Sequence, residues 1–515
     1  MSSNFLKELP AIEPGTIYDN RHAADMKEFG DIVFNVVEDG FSEVLEEVGK
    51  MPTRSSLEVK SSPLGVGYEL LDHRCGYDFD KTIPIMAQSG VKWARLQSGW
   101  PRAEQVEGVY DFGWLDHIVD SLRSIGIQPW ISLSFGNKIY MDAEGVGPHK
   151  TLMFSPTAFG ERGIRGWENY CKAMTEHFKG RVSHWEVWNE PNAGFLRKPD
   201  IRDRIVPEEP EVYAHLVAIT EKAVHSVDPE AKIIAGSISG GGLHNGYIRD
   251  LFTAGIAEHI DIFSYHPYGS VPELYWPERL QYIKDLIEHS GKKIEIWQGE
   301  NGRPSDWNIT RKGWKYTQVN QAKHLTRRYL TDLKLGITMS SYFLCCDIGN
   351  GYNPEGKVYS QGVIDANDEN NYKPKVSFRA MQNFARIFDS ETQKMNINLE
   401  VHPYPYWSWL TTAIDPYIHT TAGFRNGNVP IYAYYHPSHI DSDYRVHSCT
   451  LELFKESGLR FDRPILIDPI TSRIYQVKKF YSYDQKGDSM CIEMRHMPLL
   501  DYPLFLTDAS IFDEA

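Results

Sequence analysis

The sequence predicts an α/β protein built on a (β/α)₈ (TIM) barrel, with an antiparallel β-sandwich appended to it. From about residue 64 to 388, short apolar runs alternate with longer amphipathic stretches, which is typical of strand–helix units around a parallel sheet. Eight such units occupy roughly 320 residues, and this number favours a closed barrel over an open doubly wound sheet. After about residue 390, short β-branched and aromatic segments separated by turn residues replace the alternation.

The barrel elements follow one another in regular order. The strands are predicted at Leu64–Leu70, Trp93–Trp100, Gln128–Phe135, His184–Glu190, Lys232–Ile238, Ile260–Tyr268, Ile294–Glu300 and Thr338–Asp347. The helices are predicted at Asp111–Ile125, Ala158–Phe178, Glu211–Val227, Glu278–Ser290, Tyr316–Leu335 and Pro374–Phe388. In the first helix, apolar residues between Trp114 and Leu122 return every three to four positions, so one face can pack on a sheet. Gly90, Gly126 and Gly336 each stand where a helix should end, a position that favours a left-handed residue.

The C-terminal region is predicted to form the sandwich. Its candidate strands are Val429–Tyr435, Pro464–Ile467, Arg473–Val477, Lys479–Tyr483 and Ser489–Met494. We expect the run Asp31–Val37, which precedes the barrel, to pair with this C-terminal sheet. The predicted organisation is an N-terminal segment at 1–60 that contributes a strand to the sandwich, the barrel at 61–388 and the sandwich at 389–515.

Composition and charge argue against several kinds of partner. The 515 residues carry 54 Lys and Arg against 69 Asp and Glu, and the net charge of −15 argues against nucleic acid. No run approaches the ~18 apolar residues of a membrane-spanning helix, so we expect no membrane span. No signal peptide is visible at the start, which favours a cytoplasmic location and leaves export by another route open. The six scattered cysteines predict reduced thiols, and the sequence does not indicate an oligomeric state.

Two glutamates stand at the predicted ends of the fourth and seventh strands. In a (β/α)₈ barrel the reactive groups gather at the C-terminal ends of the strands. The fourth strand closes with Asn189 and Glu190 before Pro191, and the seventh closes with Glu300. Two carboxyl groups that converge on one pocket can supply the proton donor and the nucleophile that glycoside cleavage requires.

Two other strand glutamates are set aside. Glu186 lies on the same strand face as Glu190 but deeper, so we expect it to pair with Arg95 rather than to carry a proton. Glu295 is an odd number of positions from Glu300, so the alternation of side chains turns it away from the pocket.

The motif Trp188–Pro191 resembles the fourth-strand signature of clan A, a large clan of retaining (β/α)₈ glycoside hydrolases. The resemblance implies that Glu190 is the general acid/base, that Asn189 binds the sugar 2-hydroxyl and that Glu300 is the nucleophile. Four further residues are placed like motifs of the clan and are expected to bind substrate: Arg95, Asn137, His266 and Tyr268.

A finer resemblance is to glycoside hydrolase family 39, the family that contains β-xylosidases and α-L-iduronidases. The run Glu104–Phe112 and the stretch Trp185–Asn192 are the segments that look most like this family. The resemblance spans roughly residues 64 to 380 and implies a barrel that carries a β-sandwich.

The eighth strand departs from the clan pattern. The stretch Ser340–Asp347 offers no Trp to the −1 sugar, so we expect Tyr342 or Asp347 to contribute there, in a pocket that could accept an unusual sugar. Arg303 could lie near the mouth and bind an acidic sugar such as a uronate, or it could form a structural salt bridge.

Tryptophans divide into two groups by their predicted position. Trp276 and Trp307 lie in predicted loops and are candidates for stacking on sugar rings, with Trp307 expected in the substrate site. Trp130, Trp188 and Trp297 lie within strands and are expected to fill the barrel.

These patterns together predict a retaining glycoside hydrolase that needs no cofactor and no metal. Retention requires the two carboxyl groups to lie ~5–5.5 Å apart, with Glu300 attacking the anomeric carbon while Glu190 protonates the departing oxygen. We expect exo action on short oligosaccharides. The alternatives are an endo-acting enzyme of the same clan and a carbohydrate-binding barrel without turnover.

Overall fold

The computed structural model describes residues 34–69, 71, 76–141, 152–199, 205–243, 246–274, 276–306, 316–349, 358–368, 370–404, 420–441, 444, 446–455, 458–484 and 490–513. Within these residues a closed parallel barrel is accompanied by two larger antiparallel sheets and one short hairpin.

Eight parallel strands form the predicted barrel, and each pairs with the next one along the chain. A first strand, β1 (Leu45–Lys50), precedes them. The barrel strands are β2 (Leu64–Gly67), β3 (Trp93–Gln97), β4 (Gln128–Leu133), β5 (His184–Val187), β6 (Lys232–Ser239), β7 (Ile262–His266), β8 (Glu295–Gln298) and β9 (Met339–Tyr342). Pairing of β2 with β9 closes the ring. The predicted fold class is therefore confirmed, and every predicted barrel strand overlaps an observed one.

Helices separate the barrel strands. They are α1 (Phe79–Met86), α2 (Trp100–Ala103), α3 (Gly113–Ser124), α4 (Gly160–Phe178), α5 (Pro210–His225), α6 (Tyr247–Thr253), α7 (Trp276–Ser290), α8 (Gln318–Lys334) and α9 (Val376–Ile387). Short 3₁₀ turns lie at Pro156–Phe159, Pro191–Ala193, Gly240–Leu243, Ile256–Glu258 and Ala509–Phe512. The six predicted helices are present, and α3 buries the expected face through Leu115, Ile118, Val119 and Leu122. The sequence reading missed α1, α2 and α6, which are too short for a helical period to stand out.

Large apolar side chains fill the interior of the barrel. Trp130, Ile234, Ile262, Trp297 and Met339 pack together as one buried cluster. The indole rings of Trp130 and Trp297 meet edge to face at 5.6 Å. These two tryptophans therefore fill the barrel, as the sequence predicted.

Two antiparallel sheets follow the barrel. After the hairpin β10 (Ile364–Asp365) and β11 (Lys373–Pro374), the strands are β12 (Thr392–Met395), β13 (Leu399–Tyr404), β14 (Thr420–Asn426), β15 (Val429–Tyr435), β16 (His447–Lys455), β17 (Pro464–Ile467), β18 (Arg473–Val477), β19 (Tyr481–Asp484), β20 (Met490–Leu499) and β21 (Leu504–Asp508). The larger sheet has the order β1-β18-β17-β21-β15-β14-β12, and the smaller has the order β13-β16-β20-β19. These sheets form the appended antiparallel part that the fold class predicted.

The N-terminal strand lies later in the chain than expected. Residues 34–37 of the predicted strand Asp31–Val37 form no strand, and residues 31–33 fall outside the described part of the chain. Phe34 and Val36 are buried instead as a loop, with the ring of Phe34 packed edge to face on Tyr475 at 5.5 Å. The apolar pattern thus reflects burial of a loop, and β1 is the segment that pairs with β18. The domain boundaries remain predictions.

Helix α8 joins the barrel to the antiparallel sheets through buried charges. Lys323 Nζ lies 3.0 Å from Asp501 Oδ2, and both side chains are almost fully buried. Arg327 donates one hydrogen bond to the carbonyl of Ser438 at 2.7 Å and forms an ion pair with Glu273. A barrel helix is usually polar on its outer face, so these partners show that the outer face of α8 is an internal surface of this protein.

The described helices do not reach the combination of length and apolar character that a bilayer crossing demands. Five of the six cysteines lie in the described residues, where they are buried and form no disulfide: Cys171, Cys345, Cys346, Cys449 and Cys491. Cys75 lies outside them.

Candidate active site

The C-terminal ends of four barrel strands bring the predicted residues to one rim. Arg95 lies on β3 and His266 ends β7, while Asn189 and Glu190 follow β5 and Glu300 follows β8. Arg95 and His266 are fully buried, whereas the side chains of Glu190 and Glu300 retain 13% and 12% exposure. The two carboxyl groups are therefore the accessible members of a buried polar group, as a substrate pocket requires.

Glu190 and Glu300 face each other across His266. Nδ1 of His266 lies 3.0 Å from Oε1 of Glu190 and 3.7 Å from Oε2 of Glu300. One oxygen of each carboxyl group and this nitrogen all lie within 4.8 Å of one another. The spacing fits the ~5–5.5 Å separation of a nucleophile and an acid/base in retaining glycosidases, and it is shorter than the ~6.5–9.5 Å of inverting enzymes.

The backbone around Glu190 is held in an uncommon conformation. Trp188 and Glu190 have φ values of +64° and +39°, a region that non-glycine residues seldom occupy. The amide of Glu190 donates to the carbonyl of Ser237 at 3.1 Å, and the indole nitrogen of buried Trp188 donates to the carbonyl of Phe195 at 2.6 Å. Such strained residues cluster at active sites, where the surrounding structure fixes their conformation. Here the strained turn between strand β5 and Pro191 directs the Glu190 carboxyl toward His266.

Both oxygens of Glu300 receive hydrogen bonds, one from Arg95 on β3 and one from Tyr268, which follows β7. Nη1 of Arg95 lies 2.8 Å from Oε2, and the hydroxyl of Tyr268 donates to Oε1 at 2.6 Å. Although the Tyr268 ring is 38% exposed, its hydroxyl is enclosed beside Glu300; desolvation and the negative charge of Glu300 raise the pKa of Tyr268 well above its usual range. The hydroxyl thus remains a donor, and the two donors together fix the orientation of the Glu300 carboxyl group.

Arg95 is held in place by the groups beneath the pocket. Its Nε lies 2.6 Å from Glu186, which confirms the expected pairing, and its Nη2 donates to Oδ1 of Asn189 at 2.9 Å. Burial works against the charge, but the negative charges of Glu186 and Glu300 oppose this effect, and the pKa of Arg95 is raised above its usual value. Arg95 therefore stays cationic and orients the nucleophile candidate and the Asn189 amide together.

Asn137 is a predicted substrate ligand whose polar atoms are otherwise engaged. The residue is buried, its amide nitrogen donates to the carbonyl of Glu104 at 2.8 Å, and its Oδ1 accepts from the amide of Ile139 at 3.1 Å. These contacts hold the loop after β4, and the role of Asn137 in substrate binding stays a prediction.

Tyr342 and Asp347, the candidates from the eighth strand, also contact other groups of the protein. The hydroxyl of Tyr342 accepts from the amide of Arg303 at 3.1 Å, and the Tyr342 side chain is fully buried. Oδ1 of Asp347 lies 2.7 Å from Nζ of Lys375, and both side chains are buried. These contacts anchor the segments around β9, and the contribution of Tyr342 and Asp347 to the −1 sugar site stays a prediction.

The structure also decides between the two alternatives for Arg303, a uronate ligand and a structural salt bridge. Arg303 is 3% exposed and forms an ion pair with Asp441, which is buried beyond β15. It is a structural salt bridge rather than a uronate ligand at the mouth. Trp276 is buried as well, at the start of α7, and Trp307 lies outside the described residues.

Glu69 is a residue of the centre that the sequence reading missed. It is 2% exposed, and its Oε1 lies 3.3 Å from Nη1 of Arg95, the same nitrogen that contacts Glu300. The signal was present, because Glu69 stands near the end of the first predicted strand, Leu64–Leu70.

The same geometry could also bind a metal ion. Glu190, His266 and Glu300 each offer a ligand atom at suitable mutual distances. However, Arg95 already places a positive charge against Glu300, and a second cation there would be repelled. The site is therefore better described as two carboxyl groups held by hydrogen bonds from the protein than as a metal centre.

A closed parallel barrel with two facing carboxyl groups at its C-terminal rim is the architecture of the barrel glycoside hydrolases. The sequence model of Glycosyl hydrolases family 39 matches residues 95–279. A β-xylosidase of Geobacillus stearothermophilus is 28% identical over 201 residues, which are 36% of this chain and 37% of that protein. The β-galactosidase BbgII of Bifidobacterium bifidum is 31% identical over 130 residues, 22% and 18% of the two chains. The matched stretches thus span well under half of either relative.

Solved structures of the same family share the fold. A family 39 glycoside hydrolase from Bacteroides cellulosilyticus WH2 superposes with a TM-score of 0.61 at 19% identity, over 87% of this chain and 80% of that one. A monomeric β-xylosidase from Caulobacter crescentus CB15 gives 0.53 at 15% identity, over 90% and 99%. The family and sequence matches support assignment of the chain to glycoside hydrolase family 39, which confirms the resemblance of its strand-end motifs.

Proposed function

We propose that this protein is a retaining glycoside hydrolase in which Glu300 is the nucleophile and Glu190 the general acid/base. The single observation that supports this proposal most is the approach of the two carboxyl groups to within 4.8 Å around His266. This distance is shorter than the ~6.5–9.5 Å separation of the carboxyl groups in inverting enzymes. The family assignment supports the same reaction.

The proposed reaction uses the two carboxyl groups in turn. Glu300, oriented by Arg95 and Tyr268, attacks the anomeric carbon while Glu190 donates a proton to the departing oxygen. Esterification removes the charge of Glu300 beside Glu190. Glu190 then accepts a proton from water, which hydrolyses the glycosyl-enzyme.

The proposed substrates are short β-linked glycosides, cleaved from one end. Two relatives, a β-xylosidase and a β-galactosidase, support this class. A carbohydrate-binding barrel without turnover is less well supported, because two donors orient the Glu300 carboxyl group beside Glu190, as a nucleophile requires.

Glutamine substitutions test the roles of the two carboxyl groups. We expect Glu190→Gln and Glu300→Gln each to lower kcat/KM for 4-nitrophenyl β-D-xyloside or β-D-galactoside by about 10³-fold or more, because each removes a group that acts in the transition state. Glu295→Gln is the matched control, since this exposed glutamate starts the same strand β8 and should leave kcat/KM within about twofold.

Azide separates the two roles. In Glu190→Ala, azide should restore turnover and yield a glycosyl azide of retained configuration, because the glycosyl-enzyme still forms. In Glu300→Ala, azide should attack directly and yield the inverted product. Equal activity of both variants and the wild type would contradict the proposal.

A further inference from the structure

The catalytic centre contains more carboxyl groups than its cation can balance. Arg95 contacts Glu186, Glu300 and Glu69 at 2.6, 2.8 and 3.3 Å, and Arg95, Glu186 and Glu69 are at most 2% exposed. If all three carboxyl groups were ionised, one guanidinium would face three buried negative charges. Buried carboxyl groups relieve such an excess by retaining a proton.

The hydrogen-bond donors indicate which group retains it. Glu300 receives the Tyr268 hydroxyl and an Arg95 N–H, and Glu186 receives the Arg95 Nε–H and the hydroxyl of Ser237. Among the residues that the structure describes, Glu69 receives the long contact from Arg95 and a hydrogen bond from its own backbone N–H. Its Oε2 is buried and has no hydrogen-bond partner among the residues that the structure describes. Two short donors stabilise a carboxylate, and one long donor does so poorly.

The backbone makes room for the Glu69 carboxyl group. A Cβ atom at Gly67 would overlap Oε2 of Glu69, so the absence of a side chain at this position of β2 lets the carboxyl fold over the strand. The hydroxyl of Tyr77 donates to the Glu69 backbone carbonyl at 3.3 Å. These contacts fix Glu69 beside Arg95 and separate it from the exposed pair.

We propose that Glu69 is a positioning residue that holds a proton beside Arg95 and so leaves the charge of this arginine to Glu300. The proposal rests on the proposed function in that it takes Glu300 as the nucleophile. Among the described residues, the titratable and charged groups that face Glu69 are Arg95 and Glu300, with Glu186 beyond Arg95 and Tyr77 at the backbone. Desolvation and the charge of Glu300 outweigh Arg95 and raise the pKa of Glu69 to about 8.

Infrared spectroscopy tests the proton directly and needs no substrate. The difference spectrum between wild type and Glu69→Gln at neutral pH should contain the C=O band of a protonated carboxylic acid, and this band should disappear as the pH rises above about 8. A carboxylate band in its place would overturn the proposal. If Glu69→Gln does not fold, the band is sought in protein labelled with ¹³C-glutamate that carries Glu190→Gln, which removes the other proposed protonated carboxyl of the site.

Kinetics test the positioning role. Glu69→Gln replaces one neutral group by another, so kcat/KM should stay within about threefold and the acidic limb of its pH profile should not move. If Glu69 were ionised, loss of its charge would shift that limb to lower pH by about one unit or more. Glu69→Ala leaves Arg95 without this support, and we expect kcat to fall about tenfold with little change in KM. A fall in Tm without this loss of kcat would indicate a merely structural role and overturn the proposal.

The infrared and kinetic outcomes distinguish failure of this inference from failure of the proposed function. The kinetic probe is 4-nitrophenyl β-D-xylopyranoside, or the β-D-galactopyranoside if the xyloside is not hydrolysed. Absence of hydrolysis by the wild type on both would contradict the proposed function and leave the infrared result to decide the protonation of Glu69. Hydrolysis that depends on Glu190 and Glu300, together with a carboxylate band from Glu69, would overturn only this inference.

Discussion

At the residue scale, four carboxyl groups of the catalytic centre share a small set of hydrogen-bond donors. Glu300 accepts hydrogen bonds from Arg95 and Tyr268, and Glu190 contacts His266 at the accessible rim. Glu186 is buried against Arg95, and Glu69 is left with the weakest contact. A single fold thus assigns different tasks to the same side chain by burial and by donor number.

Residue identity and spacing were sufficient to predict the reactive pair and the Arg95–Glu186 contact, because strand alternation fixes which side chains share a face. They gave no indication of the protein partners of Asn137 and Asp347. A motif places such a residue near the mouth, but its side chain is oriented by partners distant in sequence, such as Lys375 for Asp347. The role of Glu69 was missed for a related reason, because it depends on the charges that surround Arg95 in the folded protein.

Glu69 should make the stability of the protein fall as the pH rises. Its pKa is about 8 in the folded protein and ~4.3 in an unfolded chain, so between these values the folded state binds a proton that the unfolded state lacks. The stabilisation is present below about pH 4 and is lost as the pH rises through about 8, with a slope of at most ~1.4 kcal/mol per pH unit. Denaturant unfolding at several pH values measures it, and Glu69→Gln should flatten the slope. Identical slopes in both proteins would contradict this assignment.

At the element scale, the barrel depends on tight turns between helices and strands. Gly126, Gly90 and Gly336 were predicted to be left-handed, and their φ values are +83°, +76° and +79°. The periodicity of longer helices was enough to place them, whereas α1 and α6, with 8 and 7 residues, offer too few turns for a pattern. The segment at Phe34 was misread because a loop buried under a sheet has the same apolar character as a strand.

Gly126 combines a left-handed conformation with close packing. A Cβ atom there would lie 2.8 Å from the carbonyl oxygen of Ser56, so Gly126→Ala adds a clash to backbone strain. We expect a loss of about 2–4 kcal/mol in the free energy of unfolding. Gly108→Ala is the matched control, since its φ is +75° but its Cβ position is open, and it should cost about 1–2 kcal/mol. Equal losses, measured by guanidinium chloride unfolding, would show that packing at Gly126 contributes nothing.

At the scale of the whole molecule, buried ion pairs connect the active-site face of the barrel to the antiparallel sheets. Arg303 stands three residues after Glu300 and pairs with Asp441 beyond β15. Lys323 and Arg327 of α8 make comparable contacts with the C-terminal region. These pairings join residues more than a hundred positions apart, so composition and periodicity gave no indication of them. The predicted cytoplasmic location remains a prediction.

The Arg303–Asp441 pair should be costly to break. Asp441→Ala leaves a buried guanidinium without its ion-pair partner, and we expect the free energy of unfolding to fall by about 3–5 kcal/mol. Asp513→Ala removes the partner of Arg463 in an exposed pair and serves as the control, with an expected change of at most about 1 kcal/mol. The contrary result is a loss at Asp441 no larger than that at Asp513 in denaturant titrations.

The central claim is that Glu190 and Glu300 act on one sugar ring by double displacement. Proton NMR of the first anomer released from the 4-nitrophenyl glycoside that the enzyme hydrolyses fastest, recorded before mutarotation, tests it most directly. Two successive inversions at the anomeric carbon predict a hemiacetal with the configuration of the substrate. A first product of inverted configuration would contradict the claim, since the water would then have attacked directly and Glu300 would not be the nucleophile.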